Sequence, residues 1–569
     1  MARVPPELEW AGIHVTGAEL NDSGRPVEES EIVDALKQIS VYDCLSVVGQ
    51  LSASLVLANG RFSRSTQQRF IDYLAVDSPE LRHRLTRCLN RGQIVIFEQQ
   101  LYHLGRLALL HGDLRPPDAF AQGRLGDHFL LALFGVTDLF DHDLGNGPIK
   151  DNVLRLELRQ TAMGHDEERL IQWSFYYELF DRIWPSLPKA PDADEAFQRY
   201  TQLTINEYLS LGFAFSAGFQ QERDEWPLAH FVPEKWFSSL TLPESSWRSF
   251  LGVSAGSVER LREQLLAEEE ELGSTTYQSL AIEKRPIIEG PNGQIYLANF
   301  AALERRATHG IFHILGEGAE SEGLDRETFT SPFGAAFQRW AEGCVDRMEG
   351  GRQEPTIFAD ERYGSKKEPR DTPDVVLRYE RQIVAMEVVA GALQIRTSTH
   401  GDLTTFARDL KKLVYKKADQ LTKRIADIKD GKTAGIGLTA EGAGRFWPVI
   451  VTAAPFPVRS EVMKKIRRDL KDQGLLQDKD IGPISIISAE DLAGLEGYVE
   501  TSQDSALNVI SGWKAHRRTG DHFLKNYLWQ QQKGSVPTPA HHAEMFDAAT
   551  TAMLKFLFGN QTPGRESAQ

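Results

Sequence analysis

Three cysteines, Cys44, Cys88 and Cys344, are too few and too far apart in 569 residues for a disulfide framework or a spaced set of zinc ligands. That scarcity points to a reducing compartment, and the cytoplasm is the simplest expectation. No apolar run reaches the roughly 18 to 20 residues of a membrane span, and the opening MARVPPELEW has no charged-then-apolar leader pattern, so neither membrane insertion nor secretion is expected. No G-x-x-x-x-G-K phosphate loop occurs, which argues against autonomous ATP hydrolysis. There is no internal repeat and no low-complexity tract. Basic excess is missing as well: 64 Lys and Arg stand against 80 Asp and Glu, a net charge of −16, so any contact with nucleic acid must be a local basic groove.

What is present is an ordinary globular composition, 41% hydrophobic and 25% charged, in a chain long enough for two to four domains. Residues 1 to 230 read as a helical domain. VEESEIVDALKQISVYDCLSVVGQLSASLVLA, DEERLIQWSFYYELFDRIW and DADEAFQRYTQLTINEYLSLGFAF all keep apolar residues at three- and four-residue intervals. Residues 231 to 325 read as an α+β connector, with RPIIEGPNGQIYLANF as two short strands around a Gly/Pro/Asn turn and AALERRATHGIFHILGEGA as helix. From 326 to 500 a compact α/β domain is expected. Its helix SPFGAAFQRWAEGCVDRMEG should start at Ser331 or Pro332, followed by strands at PTIFA, DVVLRYE and RQIVAMEVV, a long helix over about 403 to 429, and a strand at WPVIVTAAPF. Helix RSEVMKKIRRDLKDQGLL, strand PISIIS and helical AEDLAGLEGYVE complete it. Residues 501 to 569 read as a helical C-terminal extension, with the polar tail after SVPTPA expected to be loosely ordered until the amphipathic EMFDAATTAMLKFLF. The fold class is α+β and multidomain, with a mostly helical N-terminal half and a mixed sheet in the C-terminal domain.

The chemistry concentrates in TPDVVLRYERQIVAMEVVAGALQIRT. If DVVLRYE and RQIVAMEVV pair as a hairpin, Asp374 near the start of one strand lies beside Glu387 near the end of the other. Two converging carboxylates suit a hard divalent cation, Mg²⁺ or Mn²⁺, with a phosphate completing the coordination. Val389 shares a strand face with Glu387, where a lysine would orient an attacking water.

The order of elements, the literal PD and the segment IVAMEVVAGALQIRTSTHGDLTTFARDLKKLVYKKADQL resemble the PD-(D/E)XK, restriction-endonuclease-like nuclease superfamily over about residues 325 to 500. The resemblance implies a restriction-endonuclease-like domain, with Asp374 and Glu387 as the metal-binding catalytic carboxylates and Gln420 near the scissile phosphate. It also implies Mg or Mn as cofactor and nucleic acid as partner, DNA the favoured kind, with defence against foreign DNA as a setting by analogy. This sequence departs from the pattern at Val389, in the lysine position, and at Gln338, where many members carry a first-helix glutamate. Members of the superfamily relocate the lysine, and the long helix offers Lys411, Lys412, Lys416 and Lys417. Lys412 and Lys416 lie one turn apart, with Gln420 a further turn along, which makes the first two the candidate catalytic lysines. Glu342, one turn after Gln338, is the candidate for the missing glutamate. A catalytically inactive nucleic-acid- or protein-binding module and a structural subunit stay open beside the nuclease. Homo-oligomerisation or a protein partner is expected to involve the helical N-terminal half.

Other candidates carry less. Asp127, His128, Asp138, Asp141, His142 and Asp143 crowd one stretch without a ligand spacing that fits a metal. Arg517 and His522 are separated by a glycine-containing loop, and His541 and His542, beside a Pro-rich break, are expected to face solvent.

Overall fold

The computed structural model describes residues 14 to 559, apart from 22–23, 59–62, 77, 118–125, 143–148, 164–168, 221–229, 239, 274–277, 326, 351–353, 517–519 and 533–535. The chain forms two compact units: one of Met1–Gly147, Asp194–Gly318 and Thr550–Gln569, the other of Pro148–Ala193 and Ala319–Ala549. The units do not follow the linear segments 1–230, 231–325, 326–500 and 501–569. The helix Ile149–Met163 shows why residues of the first segment belong to the second unit. Its Glu157 carboxylate accepts the backbone N–H groups of Glu461 (3.0 Å) and Val462 (3.0 Å), which are free at the start of the helix Ser460–Asp472. Its Arg159 donates to the carbonyl of His400 at 3.1 Å.

The first unit is mostly helical, and its helices fall where the apolar periodicity puts them, at Glu29–Leu36, Val41–Leu57, Ala193–Thr201 and Ile205–Phe219. The last of these begins with a capping box, Thr204 and Glu207 each bonding the other's backbone N–H. A small sheet accompanies the helices: β1 (His230–Phe231), β2 (Ala255–Ser257), β3 (Ile287–Glu289) and β4 (Ile295–Leu297), in the order β1-β4-β3-β2. The β3–β4 turn puts Asn292 at φ 57° and Gly293 at φ 70°, the left-handed backbone that Asn and Gly accept most readily.

The second unit carries a five-stranded mixed sheet of β5 (Thr356–Ala359), β8 (Val375–Arg378), β9 (Gln382–Val389), β10 (Arg445–Thr452) and β11 (Ser485–Ser488). A separate hairpin, β6 (Arg362–Ser365) and β7 (Glu368–Asp371), interrupts the series. The order is β11-β10-β9-β8-β5, with β8 antiparallel to β5 and β9 and the β9-β10-β11 pairs parallel. Parallel strands need crossover connections, which here contain helices. The one between β9 and β10 contains Ile395–His400 and then a continuous helical run, Leu403–Leu410, Lys411–Tyr415 and Lys416–Lys429, whose middle piece is a π turn. The helix Glu327–Glu349 packs on β9 and β5. It starts earlier than the expected Ser331 or Pro332. Asp325 accepts the Glu327 N–H at 2.9 Å, so the helix is capped one turn upstream and Pro332 lies inside it.

Two buried aspartates anchor the run between β9 and β10. Asp409 accepts the Gln394 N–H at 3.0 Å and the Thr397 hydroxyl at 2.6 Å, tethering the loop that leaves β9. Asp427 accepts from Tyr363 (2.8 Å), Arg370 (2.6 Å) and Lys432 (2.6 Å), which fastens the β6–β7 hairpin to the helix. Those three donors outweigh burial and lower the Asp427 pKa to about 2. A carboxyl depressed in the folded state contributes stability that is present above its unfolded pKa and lost as pH falls through the folded one. Asp427→Asn is therefore expected to destabilise the protein by about 1 to 3 kcal/mol at neutral pH. Urea unfolding should show the gap between variant and wild type closing as pH falls from about 5 toward 2.

Candidate active site

Asp374 immediately precedes β8, whose first residue, Val375, stands opposite Met386 of β9. One step further along the antiparallel pair puts Asp374 beside Glu387, the juxtaposition expected of the hairpin. The Val388 N–H donates to Asp374 Oδ2 at 2.7 Å, so the first carboxylate is moored to the strand that carries the second. β9 lies between β8 and β10, and Glu387 stands opposite Ile450 and is 0% exposed. A lone carboxylate in that position would be driven to its neutral form.

Two cations from the helix Lys416–Lys429 meet it. Lys417 Nζ donates to Glu387 Oε2 at 2.9 Å and lies 3.5 Å from Asp374 Oδ2. Arg424 Nη1 donates to Glu387 Oε1 and lies 3.8 Å from Asp374 Oδ1. Both cations are themselves largely buried, at 19% and 18% side-chain exposure, so solvent screens these pairs little. Burial, followed by the charge of Asp374, raises the Glu387 carboxyl above its ordinary pKa, while Lys417 and Arg424 pull it back.

Two more carboxyls lie within electrostatic reach. Glu342, on the helix Glu327–Glu349, accepts a hydrogen bond from Gln338 Nε2 at 2.9 Å, and its pKa is raised by burial and by Asp360 and Asp374. Asp360 follows β5, donates its backbone N–H to the Asp374 carbonyl at 3.1 Å, and is raised by burial, Asp371 and Asp374. Asp374, Glu387, Lys417 and Arg424 balance one another in charge. Glu342 and Asp360 then add two further carboxyls within electrostatic reach, and Asp374 and Glu387 are hard oxygen donors of the kind that suits Mg²⁺ or Mn²⁺.

The lysine stripe read from the sequence lies elsewhere. Lys411, Lys412 and Lys416 are exposed, and Lys417, the next residue, is the one that reaches the carboxylates. Val414, Ala418, Leu421, Ile425 and Ile428 are buried and fix the inward face of the helix. Lys417 and Arg424, two turns apart, flank Leu421 along one edge of that stripe, whereas Lys416 points away from it. The π turn at 411–415 adds a further rotation that a regular wheel omits. The buried stripe was the available signal for Lys417 and for Arg424, which sequence reasoning did not single out. Gln420 sits one turn after Lys417, half-buried, with its Oε1 shielded from solvent and without a hydrogen-bond partner among the described residues. Val389 ends β9 opposite Thr452.

The weaker candidates do not assemble here. Asp127 and His128 are exposed, while Asp138 is buried and accepts the Val27 N–H at 2.9 Å. The side chains of Asp141 and His142, and all of Asp143 and Arg517, lie outside the described residues. His541 and His542 do not face solvent as expected. The helix Ala540–Phe558 begins ahead of them, so they enter the interior on its first turn, His541 bonding Glu178 at 2.8 Å and His542 bonding Ser174 at 2.7 Å.

No family model matches this chain, and neither a curated protein nor a solved structure is significantly similar to it.

Replacing Lys417 by methionine keeps the stem and removes one of the two charges that hold Glu387. We expect a loss of about 2 kcal/mol near neutral pH, less than for a fully abandoned buried carboxylate because Arg424 stays. The folded-state pKa of Glu387 rises further in the variant. A carboxyl raised in the folded state loses stability as pH rises, so urea midpoints should show a larger deficit at about pH 8 than at about pH 5.

Proposed function

We propose that the second unit is a metal-dependent phosphodiesterase of the PD-(D/E)XK kind acting on DNA, in which Lys417 supplies the ammonium that Val389 cannot. The observation that carries this reading is the position of Lys417 Nζ, 2.9 Å from Glu387 and 3.5 Å from Asp374. A lysine two residues after Glu387 would have to serve the same pair of carboxylates. The antiparallel β8–β9 register, the parallel β10 beside β9 and the helix Glu327–Glu349 packed on β9 support the family resemblance.

Asp374 and Glu387 would hold the ion, with Glu342 and Asp360 adding negative potential. When bound, the ion supplies Lewis acidity at a phosphoryl oxygen and lowers the pKa of a water. The Lys417 ammonium then has two tasks, orienting the attacking water and compensating charge on the phosphoryl oxygens. Arg424, a planar donor fixed to Glu387, holds that carboxylate in one orientation. Gln420, half-buried one turn after Lys417, lies on the same side of the helix, at the position the resemblance puts near the scissile phosphate. Cytoplasmic location fits the three free, buried cysteines, and no described helix is long and apolar enough to cross a membrane.

Arg424 also favours a second reading. A fixed guanidinium within ion-pair distance of both carboxylates competes with a dication, and if it wins, the unit is an inactive module that binds nucleic acid. Incubation with duplex DNA and Mg²⁺ or Mn²⁺ separates the two. The nuclease reading expects cleavage by wild type, none by Asp374→Ala or Glu387→Ala, a fall of about 10² to 10⁴ for Lys417→Ala, and little change for Lys412→Ala or Lys416→Ala. Absence of cleavage by wild type and every variant, with salt-sensitive DNA binding retained, would replace it by the binding module.

A further inference from the structure

Helical segments of the second unit converge on a polar cluster that plays no part in the Asp374/Glu387 site. Cys344 comes from Glu327–Glu349, Glu496 from Ala489–Thr501 and His542 from Ala540–Phe558. Their Sγ, carboxylate oxygen and ring nitrogen all lie within 4.8 Å of one another, and all three residues are buried. Glu178, ending the helix Arg169–Glu178, is within electrostatic reach of Cys344 and His542.

Among the described residues, two buried atoms here have no hydrogen-bond partner. Ser174 engages His542 Nδ1, which leaves Nε2 buried and unpartnered in a residue 0% exposed. His541 engages Glu178 Oε1, which leaves Oε2 in the same condition. A buried polar atom left unsatisfied is strongly unfavourable, so His542 Nε2, beside Cys344 and Glu496, calls for a ligand, with Glu178 close enough to feel its charge. Thiol, imidazole and carboxylate together are the donor set of zinc rather than of magnesium.

We propose that Cys344, His542 and Glu496 form a structural site for Zn²⁺ or a similar transition-metal dication, with Glu178 Oε2 or a water as the fourth ligand. Charge supports it. The Cys344 thiolate and the Glu178 and Glu496 carboxylates are three negative charges, which a dication and the Arg347 guanidinium balance. Arg347 is already placed for that part: Nε is 2.5 Å from Glu496 Oε1, Nη2 is 3.1 Å from Oε2, and Nη2 is 3.3 Å from Cys344 Sγ. Such an outer hydrogen bond orients a carboxylate while leaving it lone pairs for the metal. Binding displaces the thiol proton to solvent, and no other bond changes. The ion would clamp the helix that carries Glu342, two residues before Cys344, to the two helices that bring Glu496 and His542.

Elemental analysis of the purified full-length protein, and titration of the chelator-stripped protein with Zn²⁺ and Co²⁺, test this directly. Stoichiometric uptake is expected, with a thiolate-to-cobalt charge-transfer absorption that disappears in Cys344→Ser and weakens or disappears in His542→Gln. Stripping the metal should lower the melting temperature of wild type and leave that of Cys344→Ser unchanged. Failure of the stripped wild type to take up either ion stoichiometrically overturns the proposal, whether or not the variants fold. Retention of the cobalt–thiolate band in Cys344→Ser overturns it as well. Loss of DNA cleavage bears on the Asp374/Glu387 site and is not a readout here.

Discussion

Glu387 is a carboxylate in the middle of a five-stranded sheet, and the arrangement around it follows from the need to neutralise it. Its sheet neighbours across β10 are apolar, so the charge is balanced from the helix above, by Lys417 and Arg424. That requirement sets the rotation of the helix about its axis: the apolar stripe through Leu421 packs inward, and the two cations at its edge must meet the carboxylates. The ends of the run are held independently, by Asp409 to the loop after β9 and by Asp427 to the β6–β7 hairpin. A buried ion network of this kind contributes little net stability, because desolvation offsets attraction. Its retention in a sheet interior is easier to understand as placement of charge than as a source of stability.

The β8–β9 pair was legible in the sequence because apolar runs on either side of a short polar turn, Tyr379 to Gln382, leave one plausible register, and that register sets Asp374 against Glu387. The helix over 403 to 429 was equally legible, but the face that meets Asp374 and Glu387 was not. The charged stripe Lys412–Lys416–Gln420 drew attention, whereas burial of Val414, Ala418, Leu421, Ile425 and Ile428 decides which way the helix turns, and the π turn breaks the regular count. Lys417 and Arg424 both lie along one edge of that apolar stripe. The β6–β7 hairpin escaped notice because RYGS and EPRD are short and polar, and their fixing contact, Arg370 and Tyr363 to Asp427, links positions 57 and 64 residues apart.

The Cys344 cluster marks a different limit. Its residues come from helices distant in sequence, so no spacing announces them, and the two histidines stood at a presumed loop edge. The start of the helix at Ala540, ahead of both, is what turns them inward. The helix Glu327–Glu349 thus serves two polar centres of contrasting chemistry, hard oxygens around Glu342 and softer donors at Cys344.

The central claim is that the ammonium serving Asp374 and Glu387 has moved from the strand to the helix. Val389 shares a strand face with Glu387, so the two positions can be exchanged in one protein. The most direct test is the rate of Mg²⁺-dependent DNA cleavage by Lys417→Ala and by the double variant Lys417→Ala/Val389→Lys. A relocated lysine predicts that the single variant is severely impaired and that the second change restores a substantial part of the wild-type rate. Full activity in Lys417→Ala would contradict the account.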